Sequence, residues 1–169
     1  MSVTGQKTHI EESAGLIAPG DLVEPSLREL RAYWDAKRGE RDMPGRADID
    51  PIEVPRLLPH IFLVRLAREP LEFTYSLVGG ENTEAHGQNF TGWKVHDLDS
   101  LWPGYGTAMH DFYAYIVRRG KPRAASGVMS FLDRGFYEFE AVYLPLAAAD
   151  GEMSHIMGGA VYRMVRGGG

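Results

Sequence analysis

Cysteine is missing from this chain of 169 residues. Disulfides, thiolate nucleophiles and cysteine-held zinc or iron–sulfur sites are thereby excluded. Positive charge is scarce: 18 Lys and Arg stand against 23 Asp and Glu, a net charge of −5. Nucleic acid is bound through many cationic contacts to phosphate, so no nucleic-acid partner is expected. An anionic membrane surface gains nothing from this charge either. No stretch approaches the ~20 apolar residues that span a bilayer. Met1 to Glu12 contains no apolar run of the signal-peptide kind. A cytoplasmic protein with no membrane partner is the expectation.

Local catalytic and metal motifs are missing too. The histidines His9, His60, His86, His96, His110 and His155 show no spacing that sets two ligands on one helix face, and no H-E-x-x-H occurs. No metal site is expected. Gly79-Gly80 and Gly104-x-Gly106 are too short to cradle phosphate, and there is no nucleophile elbow. Glu138 and Glu140 share one strand face by the period of two. Carboxylates on one strand lie to one side of a substrate instead of flanking it, so they read as the wet face of the strand, not as an acid–base pair. No catalytic residue is expected, and the chain is read as a non-enzyme.

What is present suits a globular domain. Hydrophobic residues make up 44% and aromatics 11%, enough for a core without staples. Residues 1–24 lack a sustained period and read as an arm, partly disordered or packed on a partner. Residues 25–166 read as one domain, and 167–169 as a glycine tail. Ser26 and Glu29 have capping-box spacing, and Leu27, Leu30 and Trp34 share one helical face up to Gly39. Asp50-Pro51 reads as a short helix start, curtailed by Pro55 and Pro59.

From Pro59 the period changes to that of strands. Ile61–Leu66 and Leu71–Val78 form an expected hairpin around Glu69-Pro70. A helical insert follows. Its long helix is expected over Pro103–Arg119, with Tyr105, Met109, Phe112, Tyr113 and Ile116 as one stripe and Gly120 as the stop. Three strands come next: Arg123–Leu132, Phe136–Leu146 and His155–Val165. Segregated strands with a helical crossover indicate α+β architecture with an antiparallel sheet.

The order of two strands, helices and three strands is that of the PAS fold. The strings Met43-Pro44, Gly45-Arg46, Asp48-Ile49-Asp50-Pro51, Leu57-Leu58-Pro59-His60, Tyr75-Ser76-Leu77-Val78-Gly79, Ala85-His86-Gly87 and Phe90-Thr91-Gly92 are more specific. Together they resemble a proteobacterial family of short PAS-domain proteins, mostly of unassigned function. The resemblance runs from about Ser26 to Arg163. Ser76 departs from it, since a basic residue is expected there. The resemblance implies a five-stranded antiparallel sheet with helices on one face and an N-terminal amphipathic helix. It also implies a small molecule held between sheet and helices, or dimerisation through the helix before the first strand. Leu27, Leu30 and Trp34 are the expected interface of such a homodimer, exposed in the free monomer. The partner is then a second copy or a separate signalling protein.

The aromatic inventory supplies the candidate ligand site. Phe73, Tyr75, Tyr113, Phe131, Phe139 and Tyr143 fall on faces expected to meet between sheet and long helix, with Met109 and Met129 beside them. Packing accounts for most of them. Several tyrosine hydroxyls in one interior, however, each require a partner, which suits a partly polar cavity. The glycines 127, 158 and 159 are expected to leave room beside these rings. The ligand is unknown; haem or flavin stays open but is not favoured. His110 lies ~120° from the apolar stripe and reads as a rim histidine. Three functions are carried forward: a sensory ligand-binding domain, a ligand-free interaction module, and a small enzyme on this fold.

Overall fold

A computed structural model describes residues 14–129 and 134–165. The expectations for residues 1–13, 130–133 and 166–169, with Phe131 and the glycine tail among them, fall outside the described residues.

The strands are β1 (Ala14–Ile17), β2 (Ile61–Ala67), β3 (Glu72–Val78), β4 (Arg123–Met129), β5 (Arg134–Ala147) and β6 (Met153–Met164). They form one antiparallel sheet in the order β1-β4-β5-β6-β2-β3. Six strands thus stand where five were expected. The sixth is β1, from the segment read as an arm. Its register pairs Ala14 with Gly127 and Ile17 with Ala124, so it hydrogen-bonds along the edge of β4. An Ala-Gly-Leu-Ile stretch is too short to show a period, which hid it in the sequence.

The helices are α1 (Pro25–Arg38), α2 (Gly80–His86) and α3 (Tyr105–Arg119). They cover both faces of the sheet, not one. The reason is alternation along the strands. In β5, Ala141 and Tyr143 point to the side of α3, while Val142, Leu144 and Leu146 point to the other. In β2, Phe62 and Val64 take the α3 side, and Ile61 and Leu63 the opposite one. We call the α3 side the inner face. Helix α1 lies on the outer face.

Leu27, Leu30 and Trp34 of α1 are 0%, 1% and 3% exposed. This corrects the interface reading. Their stripe packs on Val142, Leu144 and Met157 of the chain's own sheet, so it offers nothing to a partner. The Trp34 indole N–H donates to the Pro145 carbonyl at 2.8 Å, a buried bond that pins the helix to β5. Gly159 permits the approach: a Cβ there would lie 2.6 Å from Leu30 Cδ2.

The start of α1 also differs from the expected capping box. Pro25 is the first helical residue, and no side chain of the helix caps it. A carboxylate from the sheet does so. Glu140 accepts from the backbone N–H of Val23 at 3.0 Å and of Glu24 at 2.9 Å. A negative group at a helix N-terminus is favoured by the helix dipole. Glu140 is therefore buried, at 9% exposure, not part of a wet face; Glu138 is exposed. Beside it, Glu24 pairs with Arg163 at 2.6 and 2.7 Å. That ion pair holds the Glu24 carboxyl below its ordinary range.

Between α1 and β2 the chain runs as short 3-10 turns that carry Ile49 and Leu57 into the outer core. The expected start at Asp50-Pro51 is one such turn, with the Asp50 carboxylate accepting the Ile52 N–H at 3.0 Å. On the inner face, the 3-10 turn Val95–Ser100 packs on α3. Gly106 permits this contact, since a Cβ there would lie 2.5 Å from the Val95 carbonyl oxygen.

A candidate ligand cavity on the inner face

Helix α3 supplies one wall of the inner layer because its stripe faces the sheet. Met109, Tyr113 and Ile116 are buried, with Tyr105 and Phe112 on their flanks. Strands β2, β3, β5 and β6 supply the other wall through Phe62, Tyr75, Phe139, Ala141, Tyr143, Ala160 and Tyr162. Between them lies a cavity of about 160 Å³. A water needs only about 10–15 Å³ of such space, and a dry cavity of about 150 Å³ accepts benzene. There is room for a ring, not only for a trapped water.

Of the residues expected at the site, Tyr75, Met109, Tyr113, Met129, Phe139 and Tyr143 line this cavity. Phe73 does not. It packs behind the wall, tilted against Tyr113 at 5.6 Å and edge-on to His110 at 5.1 Å between ring centroids. Phe73 and Tyr75 do share a face of β3, but Phe73 lies one pair further along the strand. The glycine expectation also fails at 158 and 159. A Cβ on Gly158 would meet the Phe62 ring at 2.0 Å, so its missing volume is filled by Phe62. The missing volume of Gly159 is filled by Leu30 and Leu27 on the outer face.

Sequence reasoning missed Phe62, Asn82, His86, Phe90 and Tyr162. For Tyr162 a signal existed: it alternates with Ala160 along β6, which puts both on one face. For Asn82 and His86 the signal is their spacing of four on the short helix α2. Neither spacing says that α2 turns toward the cavity.

Asn82, His86 and Tyr162, with Tyr105, form the polar end. The His86 Nδ1–H donates to the Asn82 backbone carbonyl at 2.8 Å. That fixes a tautomer in which Nε2 accepts from the Tyr105 hydroxyl at 3.2 Å. Tyr162 donates to the Asn82 side-chain oxygen at 2.7 Å. The Asn82 amide in turn donates to the carbonyls of His60 and Ile61, at 3.2 and 3.4 Å. Across the cavity, the Tyr75 and Tyr113 hydroxyls bond each other at 2.8 Å. Burial pushes the hydroxyls of Tyr75, Tyr105, Tyr113, Tyr143 and Tyr162 upward from their ordinary pKa. All five stay protonated at physiological pH.

Among the described residues no Asp, Glu, Lys or Arg lines the cavity, and both nitrogens of the one histidine that does are engaged. No nucleophile therefore stands beside a free base. Haem does not fit the cavity: its one histidine among the described residues, His86, has both ring nitrogens bonded to protein, and the volume lies below the ~300 Å³ where sites for larger ligands begin. The same volume is too small for flavin. His110 stacks on His96 with ring centroids 4.0 Å apart, outside the cavity wall. Among the described residues no cluster of three or more His, Asp or Glu is arranged for a metal. No helix among them is long and apolar enough to cross a membrane.

The antiparallel sheet with a helical crossover and a cavity beneath it defines a sheet-and-helix domain of the α+β class. A sequence model of the PAS domain matches residues 22–161, and the chain belongs to the PAS domain family. PAS is a general sensory and signalling fold. Among solved structures, the PAS domain of BvgS from Bordetella pertussis matches with a TM-score of 0.52 at 20% identity, covering 70% of this chain and 90% of that one. An RNA-binding Light-Oxygen-Voltage receptor matches with a TM-score of 0.46 at 12% identity, covering 70% of this chain and 35% of that one. Such identities speak to the fold alone. No curated protein shows a match.

Proposed function

We propose that this PAS domain is a non-catalytic sensor that binds a small molecule in the inner-face cavity and passes its occupancy to a partner protein. The observation that carries the reading is the Tyr143 hydroxyl. Tyr143 lines the cavity, is 7% exposed, and forms no hydrogen bond among the described residues. Its oxygen opens on the cavity, so a ligand there can give it the partner that the described residues do not.

The chain offers a route outward. Gly15 and Leu16 of β1 touch the cavity, and Leu16 is 58% exposed, so β1 stands at its mouth. The same segment continues into Leu22, buried in the outer core, and then into α1. A ligand that favours one position of β1 therefore shifts the populations of the segment that carries α1. The receiving partner is a cytoplasmic signalling protein or a second copy that meets this segment, not the buried stripe of α1.

Thermal-shift screening of a metabolite library tests the reading, with wild type beside Ala160→Phe, whose added ring occupies the cavity. A true ligand at one hundred times its Kd stabilises by about 2.7 kcal/mol. Hits on wild type that vanish in Ala160→Phe support the sensor. Absence of hits, or hits that Ala160→Phe leaves untouched, overturns it and favours a ligand-free interaction module.

A further inference from the structure

The polar inventory of the cavity is unequal. Asn82, His86, Tyr105 and Tyr162 are joined in one network and are bonded to protein. Tyr75 and Tyr113 share a single hydrogen between two oxygens, so one O–H of that pair is left over. Tyr143 adds a whole hydroxyl with no partner among the described residues. Two hydroxyl hydrogens, one of the Tyr75–Tyr113 pair and that of Tyr143, therefore have no acceptor among the described residues. What balances them is an acceptor.

Size and charge narrow the ligand further. The free volume of about 160 Å³ takes one ring with a small substituent. The described walls hold no fixed charge, so a carboxylate or an ammonium would be buried against them without a counter-ion. The walls themselves are rings. Tyr143 meets Phe112 at 4.8 Å and Phe62 at 5.9 Å, both edge-to-face. Edge-to-face contact is what another aromatic ring finds favourable. Met109 and Met129 complete the lining with flexible thioethers that adjust to its outline.

We infer that the ligand is a neutral, single-ring aromatic molecule bearing one uncharged oxygen, held by the Tyr143 hydroxyl. The inference rests on the sensor reading above and names its ligand class.

The test titrates the full chain with benzyl alcohol, toluene and benzoate, followed by backbone amide NMR and calorimetry. The three probes share a ring and differ in the substituent. Benzyl alcohol should bind about tenfold more tightly than toluene, the gain of one well-made hydrogen bond. Benzoate should bind at least roughly a hundredfold more weakly than benzyl alcohol, because its charge finds no partner. In Tyr143→Phe the preference for benzyl alcohol over toluene should disappear, while toluene keeps its affinity within about threefold. Equal binding of toluene and benzyl alcohol to wild type overturns the inference. So does tight binding of benzoate, or a preference that survives Tyr143→Phe. If Tyr143→Phe does not fold, the ranking of the three probes on wild type decides alone. Failure of all three, with library hits still lost in Ala160→Phe, refutes the ligand class and leaves the sensor standing. Failure of both experiments refutes the two together.

Discussion

The two faces of one sheet have been built differently. On the outer face, Leu27, Leu30 and Trp34 of α1 close against Val142, Leu144, Leu146 and Met157, and Leu30 reaches into the space left by Gly159. On the inner face, Phe62, Tyr75, Phe90, Phe112, Tyr113 and Tyr143 meet at ring-centroid distances of 4.8–6.2 Å and leave about 160 Å³ unfilled. The difference lies in the side chains. Branched aliphatics interdigitate to crystal-like density. Rigid rings that meet edge to face, several with a hydroxyl at the tip, do not fill a layer without gaps, and each hydroxyl constrains where its ring can sit. The outer face is closed by its packing; the inner face keeps free volume.

Three experiments, with four substitutions between them, sharpen or break this contrast. The largest effect belongs to the closed face. Trp34→Ala removes a buried indole and its bond to Pro145 and should cost about 3–5 kcal/mol, read from denaturant midpoints. A cost below about 1 kcal/mol would mean that α1 is a dispensable cover and that the outer face is not the closed one.

The middle effect compares two neighbours on β4. Ala124 is fully buried on the outer face, while Ala125 lines the cavity on the inner one. Ala124→Leu overpacks a filled layer and should cost about 1–3 kcal/mol. Ala125→Leu grows into free space and should stay within about 1 kcal/mol of wild type, or gain slightly. Equal penalties in thermal unfolding would show that the inner face is as tightly packed as the outer.

The smallest effect is a pH dependence beside the inner layer. Burial and, secondly, the neighbouring His96 hold the His110 pKa below its ordinary value. The unfolded chain therefore takes up this proton first as pH falls. Stability from the neutral imidazole is complete above the unfolded pKa of about 6.5 and declines below it, until the folded pKa is passed. His110→Gln should flatten the fall in Tm between neutral and mildly acidic pH by about 2 °C at most, because solvent at the partly exposed ring screens the effect. A wild-type Tm that rises on acidification, with the rise removed by His110→Gln, would reverse the sign.

Much of the frame could be read before folding. The hairpin of β2 and β3, the stripe of α3 and the strand positions follow from period and punctuation, which are local. The double-sided burial was also written in Ala141-Val142-Tyr143-Leu144-Pro145-Leu146: a strand wet on one face would not run apolar at every position. Taking Glu138 and Glu140 as the rule for the whole strand concealed that change. Strand β1 carried no period, so its pairing with β4 was invisible. Gly158 and Gly159 were legible as missing volume, but not as volume claimed by Phe62 and Leu30.

The sequence by itself determined which residues are apolar, which strands alternate, and that aromatic rings with hydroxyl tips would gather on one layer. Those are properties of single residues and of their spacing. Tertiary structure alone decided that α1 buries its stripe on the chain's own sheet, that Glu140 caps that helix from β5, and that Asn82 and His86 tie up their neighbours while Tyr143 finds no partner among the described residues. Each of those outcomes depends on groups far apart in the chain, up to 117 residues for Glu140 and Val23. A hydrogen bond of that kind is fixed by the packing of layers, which no local pattern encodes.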